Sequence, residues 1–227
     1  MNAYNPKYEI VLNKTTLILI GLFILDSIFL ILHILYSADI LADKNFKTSY
    51  DGGYGEIFQY FKFITASLIL IYLAKHFEST LLIFWSLLAF FLFLDDWMRL
   101  HEVVGGKMLG GHIKPFVEEA YHQGQIIYGV IIALLLSYIG LRYWRNSSDE
   151  IRKLSNSLLV AIGLLWCSAV VIDYLHALWI PKAYNLTGVL IEEGGEHIAA
   201  SLFLWFSAVA LISTFRKAEN QAFYKGI

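Results

Sequence analysis

Cysteine, charge and interruption are what this 227-residue sequence has least of. The single Cys167 excludes an internal disulfide and any metal cluster built on several thiolates. Charged residues make up only 16% of the chain and hydrophobic ones 58%, whereas soluble domains run at about 25% charged and 45–50% apolar. That contrast excludes an ordinary soluble protein, although the length alone would allow one or two soluble domains. No internal repeat, low-complexity stretch or linker-like segment divides the chain, so a single domain over 1–227 is expected.

What is present instead is a series of long apolar runs. A helix crossing the hydrocarbon needs roughly 20 mostly apolar residues. Six segments qualify, at approximately 14–38, 55–76, 79–101, 118–144, 156–179 and 189–214. The expected fold is an all-α, polytopic membrane protein with six transmembrane helices in one bundle. Lys7 and Lys14 before the first run suggest a signal peptide. The run is too long for one, carries Asp26 and His33 and lacks a small-x-small cleavage site, so it reads as a retained span.

Lysine and arginine in the short loops set the direction. The side holding both termini carries ten basic residues, Arg142, Arg145, Arg152 and Lys153 among them. The opposite side carries seven, of which Lys62 and Arg99 lie inside the spans. Both termini are therefore expected in the cytoplasm, with the chain in the plasma membrane. The net charge of −2 conceals this asymmetry: the terminal side sums to +5 and the opposite side to −7.

The acids and histidines then fall at one membrane level. Span 1 holds Asp26 and His33. Span 3 ends in LDDWMRLHE, with Asp95, Asp96, Arg99, His101 and Glu102. Span 4 opens with EEAYHQGQ, which places Glu119 and His122. Span 5 closes with Asp173 and His176, and span 6 opens with EEGGEH, which places Glu192, Glu193, Glu196 and His197. Odd spans end and even spans begin on the same side, so every cluster faces the non-cytoplasmic leaflet. A carboxylate layer (Asp26, Asp95, Asp96, Asp173) should lie beneath an imidazole layer. Helical spacing puts Asp26 with His33 and Asp95 with Arg99 and Glu102 on shared faces. Glu119 and His122 are side by side, as are Asp173 and His176. His101 is the exception, about 140° from Asp96 on a regular helix.

An ionised carboxylate at this depth costs several kcal/mol unless it is paired, protonated or bound to a cation. Arg99 and Lys62 are too few to pair at least eight acids, and a metal would restore the balance. Carboxylate and imidazole without thiolate suit iron, manganese or zinc. Glu119-x-x-His122, with Asp173-x-x-His176 as its shorter analogue, has the spacing of ferritin-like di-iron helices. The metal candidates are Asp96, Glu119, His122, Asp173, His176, Glu193, Glu196 and His197. His33, Asp26, Glu102, His101 and Arg99 form a second tier, and Arg99 is expected to neutralise Asp95 or Glu102. Asp95 and Glu192 are candidate general bases.

The glycine doublets 52–53, 105–106, 110–111 and 194–195 read as turns or as loops over a site. GGKMLGG lacks the lysine-hydroxyl pair of a phosphate loop. Cys167 reads as a small core residue, His76 as interfacial and His112 as solvated. Trp97, Tyr121, Trp144, Trp166, Tyr174 and Trp179 read as a belt at the span ends.

The LDDWMRLHE stretch, the Glu-rich start of the next span and the later EEGGEH together resemble uncharacterised multi-pass bacterial membrane proteins. The resemblance covers spans 3 to 6 and implies no activity. On the residues themselves, the expectation is a metal-dependent membrane enzyme with a one- or two-metal site. Its substrate would be lipid-like or quinone-like, transformed by redox or hydrolytic chemistry. The expected partners are membrane lipids, not nucleic acid. Three alternatives stand beside it. A proton or divalent-cation transporter is disfavoured by apolar cytoplasmic halves. A non-catalytic subunit or sensor would use the polar groups only to fasten helices, and haem on His122 and His197 would leave the carboxylates unexplained.

Overall fold

The computed structural model describes residues 6–105, 107, 117–179, 181 and 184–225; of 6–13, 102, 117–122, 177–179, 217 and 220–225 only the backbone is described. The chain is an all-helical bundle, and six of its helices are long and apolar enough to cross a membrane. Backbone amides in hydrocarbon have no water to bond, so a spanning segment must satisfy them internally as a helix. The main helices are α1 (Pro6–Ser37), α2 (Tyr54–Phe77), α3 (Thr80–Met98) and α4 (Val117–Trp144), followed by α5 (Asp149–Trp166), α6 (Asp173–Trp179) and α7 (Asn185–Lys225). Wide π turns continue α3 at His101–Gly105 and join α5 to α6 at Cys167–Ile172. The fifth span is thus one helical run from Asp149 to His176.

The span boundaries follow local chemistry. The turn between α2 and α3 is two residues long, with Glu78 in the left-handed region at φ 49° and the Ser79 hydroxyl accepting from the Leu82 amide. The fifth span begins at Asp149 rather than 156. Acids in a first turn favour the helix N-terminus, and Asp149 and Glu150 sit there. The third span stops at Met98 because Arg99 takes φ 54°.

The bundle is apolar on both sides of its wall. Leu17, Leu68, Leu87, Leu134 and Val160, one from each of five spans, are 61–67% exposed. Outward leucine at that density suits lipid, not water. Inside, Leu70, Leu73, Leu81, Leu82, Leu158 and Phe203 are buried in one core at the end of the bundle that holds the termini. Ser67 and Ser86 exchange hydroxyl-to-carbonyl bonds of 2.9 Å across α2 and α3.

Helix association in a membrane depends on close packing and interhelical bonds, since lipid is as apolar as leucine. Gly194 and Gly195 serve that end. They lie inside α7, not in a turn, and a side chain at Gly195 would collide with the Ser168 side chain on the fifth span. Replacing Gly195 by Ala should therefore cost about 1–3 kcal/mol, the usual range for overpacking. Ser168→Gly in the same chain should recover most of it, and unfolding in mixed micelles measures both. Of the other doublets, Gly52 does turn the chain, at φ 74°. Gly105 packs on the Gln125 backbone, and 106, 110 and 111 lie outside the described residues. Cys167 is exposed, not in the core, and Trp166, 37% exposed, also lines a cavity.

Candidate functional site

A cavity of about 400 Å³ opens among α2, α3, α4, the fifth span and α7, on the side opposite the termini. Eight carboxylates line it: Asp51, Glu56, Asp95, Asp96, Asp173, Glu192, Glu193 and Glu196. The loop before α2 forms part of its rim, through Thr48, Ser49, Tyr50 and Asp51. His33, 2% exposed, holds that loop down: its Nδ1 accepts from the Thr48 amide at 3.0 Å, and the Thr48 hydroxyl lies 3.1 Å away. His33 is therefore an anchor for the rim, placed by the loop rather than by the other imidazoles.

The break at Arg99 builds the third-span cluster. A regular helix would carry His101 away from Asp96. The left-handed residue and the π turn after it bring His101 Nδ1 to 3.2 Å from Asp95 Oδ2. Tyr128 of α4 donates to the other Asp95 oxygen at 2.9 Å. Asp95, Asp96 and His101 each offer a ligand atom, and these atoms lie within 4.8 Å of one another. Arg99 reaches Asp51 of the first loop at 3.0 Å, with both side chains about half exposed. Glu102, one of its two expected partners, has its side chain outside the described residues, and the other, Asp95, bonds His101 and Tyr128.

The second helix contributes residues that the span-by-span reading leaves out. Gln59 donates to Glu196 Oε2 at 3.3 Å and stands beside Asp96. Glu56 accepts from the Gly52 amide and lies near Tyr60. Glu193 and Glu196 lie within electrostatic range of each other, of Asp96 and of Glu192. Glu56, Asp96, Glu193 and Glu196 thus form one carboxylate shell from three helices, and Gln59 lines the same cavity. A signal for Glu56 is present in the sequence: it stands at the start of an even-numbered span, as Glu119 and Glu192 do.

Two of the predicted ligands turn elsewhere. His176 Nδ1 lies 2.7 Å from Glu192 Oε2 and its Nε2 lies 3.2 Å from Asn185 Oδ1. It thus ties the end of the fifth span to the start of α7, and its ring packs on Gly188. His197 faces downward. Its Nδ1 is 3.4 Å from Asp26 Oδ1, and its ring stacks on Phe29. Asp26 also bonds Lys62 Nζ at 2.5 Å and the Ser201 hydroxyl at 2.5 Å, while Lys62 donates to the His197 carbonyl at 3.0 Å. Asp26, Lys62 and His197 are at most 2% exposed. They form a closed network beneath the shell. His197 belongs to both levels, because it also lines the cavity. Gly55 is a glycine for this reason: a Cβ there would stand 3.2 Å from His197 Nε2.

Asp173 lines the cavity. The side chains of Glu102, Glu119 and His122 lie outside the described residues, so the Glu119-x-x-His122 pair has no described geometry.

Below the carboxylates the cavity wall becomes apolar, with Leu88, Leu92, Ala133, Leu136, Ile162 and Leu165. The arrangement is a pouch with an acidic upper end and a hydrocarbon floor. Oxygen and imidazole donors at the upper end suit a hard or borderline cation.

Residues 53–212 match a family described as a domain of unknown function (DUF8692), and the chain belongs to that family. The matched segment contains the whole carboxylate shell, Lys62 and His197, and leaves Asp26 and His33 outside it. No curated protein and no solved structure matches the chain.

Proposed function

We propose that this member of the family is a metal-dependent integral membrane enzyme acting on a lipid-like or quinone-like substrate. The observation that carries the reading is the change of character along one cavity. Metal-capable groups lie at its upper end and hydrocarbon lies below, so a membrane-dissolved molecule fits with its reacting head among the carboxylates. Asp95, Asp96 and His101 are the residues we assign to a first metal ion, since their ligand atoms are already within 4.8 Å of one another. Glu56, Glu193 and Glu196 would supply ligands to a second ion on the Asp96 side. Bound iron or manganese would supply redox chemistry, and zinc would supply a metal-activated water for hydrolysis. Gln59 orients Glu196 and Asp96, and Tyr128 orients Asp95. We further propose that the chain resides in the plasma membrane with both termini cytoplasmic and the cavity in the outer half of the bilayer. The distribution of lysine and arginine supports that orientation.

Passage through the protein fits less well. Leu88, Leu136 and Ile162 close the cavity near mid-span. The core of Leu70, Leu73, Leu81, Leu82 and Leu158 fills the layer beyond them. Elemental analysis of the purified protein tests the proposal, and one or two equivalents of iron, manganese or zinc per chain are expected. Protein that carries none of these, and takes up none when iron(II), manganese(II) or zinc(II) is supplied, would exclude it.

A further inference from the structure

The cavity, from its acidic upper end to its apolar floor, runs along α4 and the fifth span for a considerable depth. From Gln125 to Leu136 on α4, and from Asp173 back to Ile162 on the fifth span, its lining extends 11 residues, or about 16 Å at 1.5 Å per residue. That is about half the thickness of a ~30 Å hydrocarbon layer. The slot is narrow where α4 passes the fifth span: a Cβ at Gly129 would stand 3.3 Å from Val170 Cγ2. The outer wall is α4, whose apolar stretch is only 6% buried against the rest of the chain, compared with 44% for α2. The slot is thus separated from lipid by one helix.

The charge at the upper end selects what can follow a tail into it. Eight carboxylates line the cavity, and Arg99 is the only lysine or arginine among the described lining residues, giving a formal charge of −7 when every carboxylate is ionised and the histidines are neutral. Two divalent cations would reduce this only to −3. A phosphate or carboxylate head would still meet excess negative charge in a poorly hydrated space, where like charges repel most strongly. A fixed ammonium head would compete with the metal for the same oxygens. Gln125, whose side-chain oxygen is buried without a hydrogen-bond partner among the described residues, is left to bond a head group that carries no charge.

We infer that the site takes a single-tailed amphiphile with an uncharged oxygen-bearing head, such as an alcohol, aldehyde or quinone. Its tail lies in the slot between Ala133, Leu136, Ile162 and Leu165, and anionic lipids are excluded. The inference rests on the metal-site reading for the head group and on the slot alone for the tail.

Photolabelling in nanodiscs tests it with three diazirine probes of one chain length, dodecanol, dodecanoate and dodecylamine, mapped by peptide mass spectrometry. Metal content is measured on the same samples. The alcohol should label the peptides containing Ala133–Leu136 and Ile162–Leu165 at least fivefold more than the carboxylate. Ala133→Trp should remove that labelling while leaving metal content unchanged, and Ala133→Leu, a milder filling, should reduce it. Equal labelling by the carboxylate would overturn the inference, as would stronger labelling by the amine in metal-loaded protein or labelling indifferent to both Ala133 variants. Alcohol labelling of the slot in a protein that binds no metal would uphold the slot and refute the metal reading, so the two failures are distinguishable.

Discussion

Lys62→Met should destabilise the bundle by about 3–5 kcal/mol, the cost of removing one partner from a buried ion pair. Lys62 is 0% exposed and lies 2.5 Å from Asp26, which is 2% exposed. Without the ammonium, the carboxylate keeps only the Ser201 hydroxyl at 2.5 Å and the His197 ring at 3.4 Å. The long methionine side chain fills most of the lost volume, so the change isolates charge from packing. The double variant Lys62→Met/Asp26→Leu should recover most of the loss, because replacing both partners by apolar groups is close to neutral. Reversible unfolding in mixed micelles gives the cycle. Neutral interhelical hydrogen bonds in membranes average only about 0.6 kcal/mol, which makes the size of the single-variant effect diagnostic. A loss under 1 kcal/mol would mean that Asp26 sits protonated and unpaired in energetic terms, and that the network does not fasten α1 and α2 to α7.

The same network shows where sequence reading succeeds and where it stops. The level of Asp95, Asp96 and Asp173 follows from span length and alternation alone, because the bilayer imposes both, whereas Asp26 lies beneath them with an imidazole, His197, at its own depth. The six spans follow for the same reason. Direction within the level is another matter. His197 is adjacent to Glu196 in sequence, yet its Nδ1 turns to the buried network while Glu196 stays in the carboxylate shell, since 100° per residue separates them on α7. His176 follows Asp173 at helical spacing, but the close approach allowed by Gly188 gives its ring to Glu192 and Asn185. His101 shows the opposite error. Regular geometry sends it away from Asp96, and no residue type in LDDWMRLHE announces that Arg99 will adopt φ 54°. Non-glycine residues seldom take that conformation, so a regular helix is the sound default and the break is visible only in three dimensions. Glu56 and Gln59 carry a weaker signal because they stand alone on α2, without the doubled acids that mark the other span ends.

Asp96→Asn should lower the metal content of the purified protein more than any other single substitution at the upper end of the cavity. Even changes beyond the ligands cost 10–100-fold in metal affinity, so a direct ligand shared by two ions should cost at least about 100-fold. Asp96 is the residue on which the two halves of the shell meet. It belongs with Asp95 and His101 in the one group among the described residues whose ligand atoms converge within 4.8 Å, and its field reaches Glu196. Asparagine keeps the shape and the Gln59 contact while removing the charge, so folding should be preserved. His101→Ala should follow Asp96→Asn in direction, because His101 has been turned into the cluster by the break at Arg99. His176→Ala should behave differently. Both of its ring nitrogens already lie within hydrogen-bond distance of Glu192 and Asn185, so its loss should loosen the join between the fifth span and α7 and leave metal content within about twofold of wild type. Titration with iron(II), manganese(II) or zinc(II), read by elemental analysis after gel filtration, separates the three variants. If His176→Ala empties the site while Asp96→Asn and His101→Ala retain their metal, the ion lies near the fifth span and α7, and the assignment to the third span is wrong.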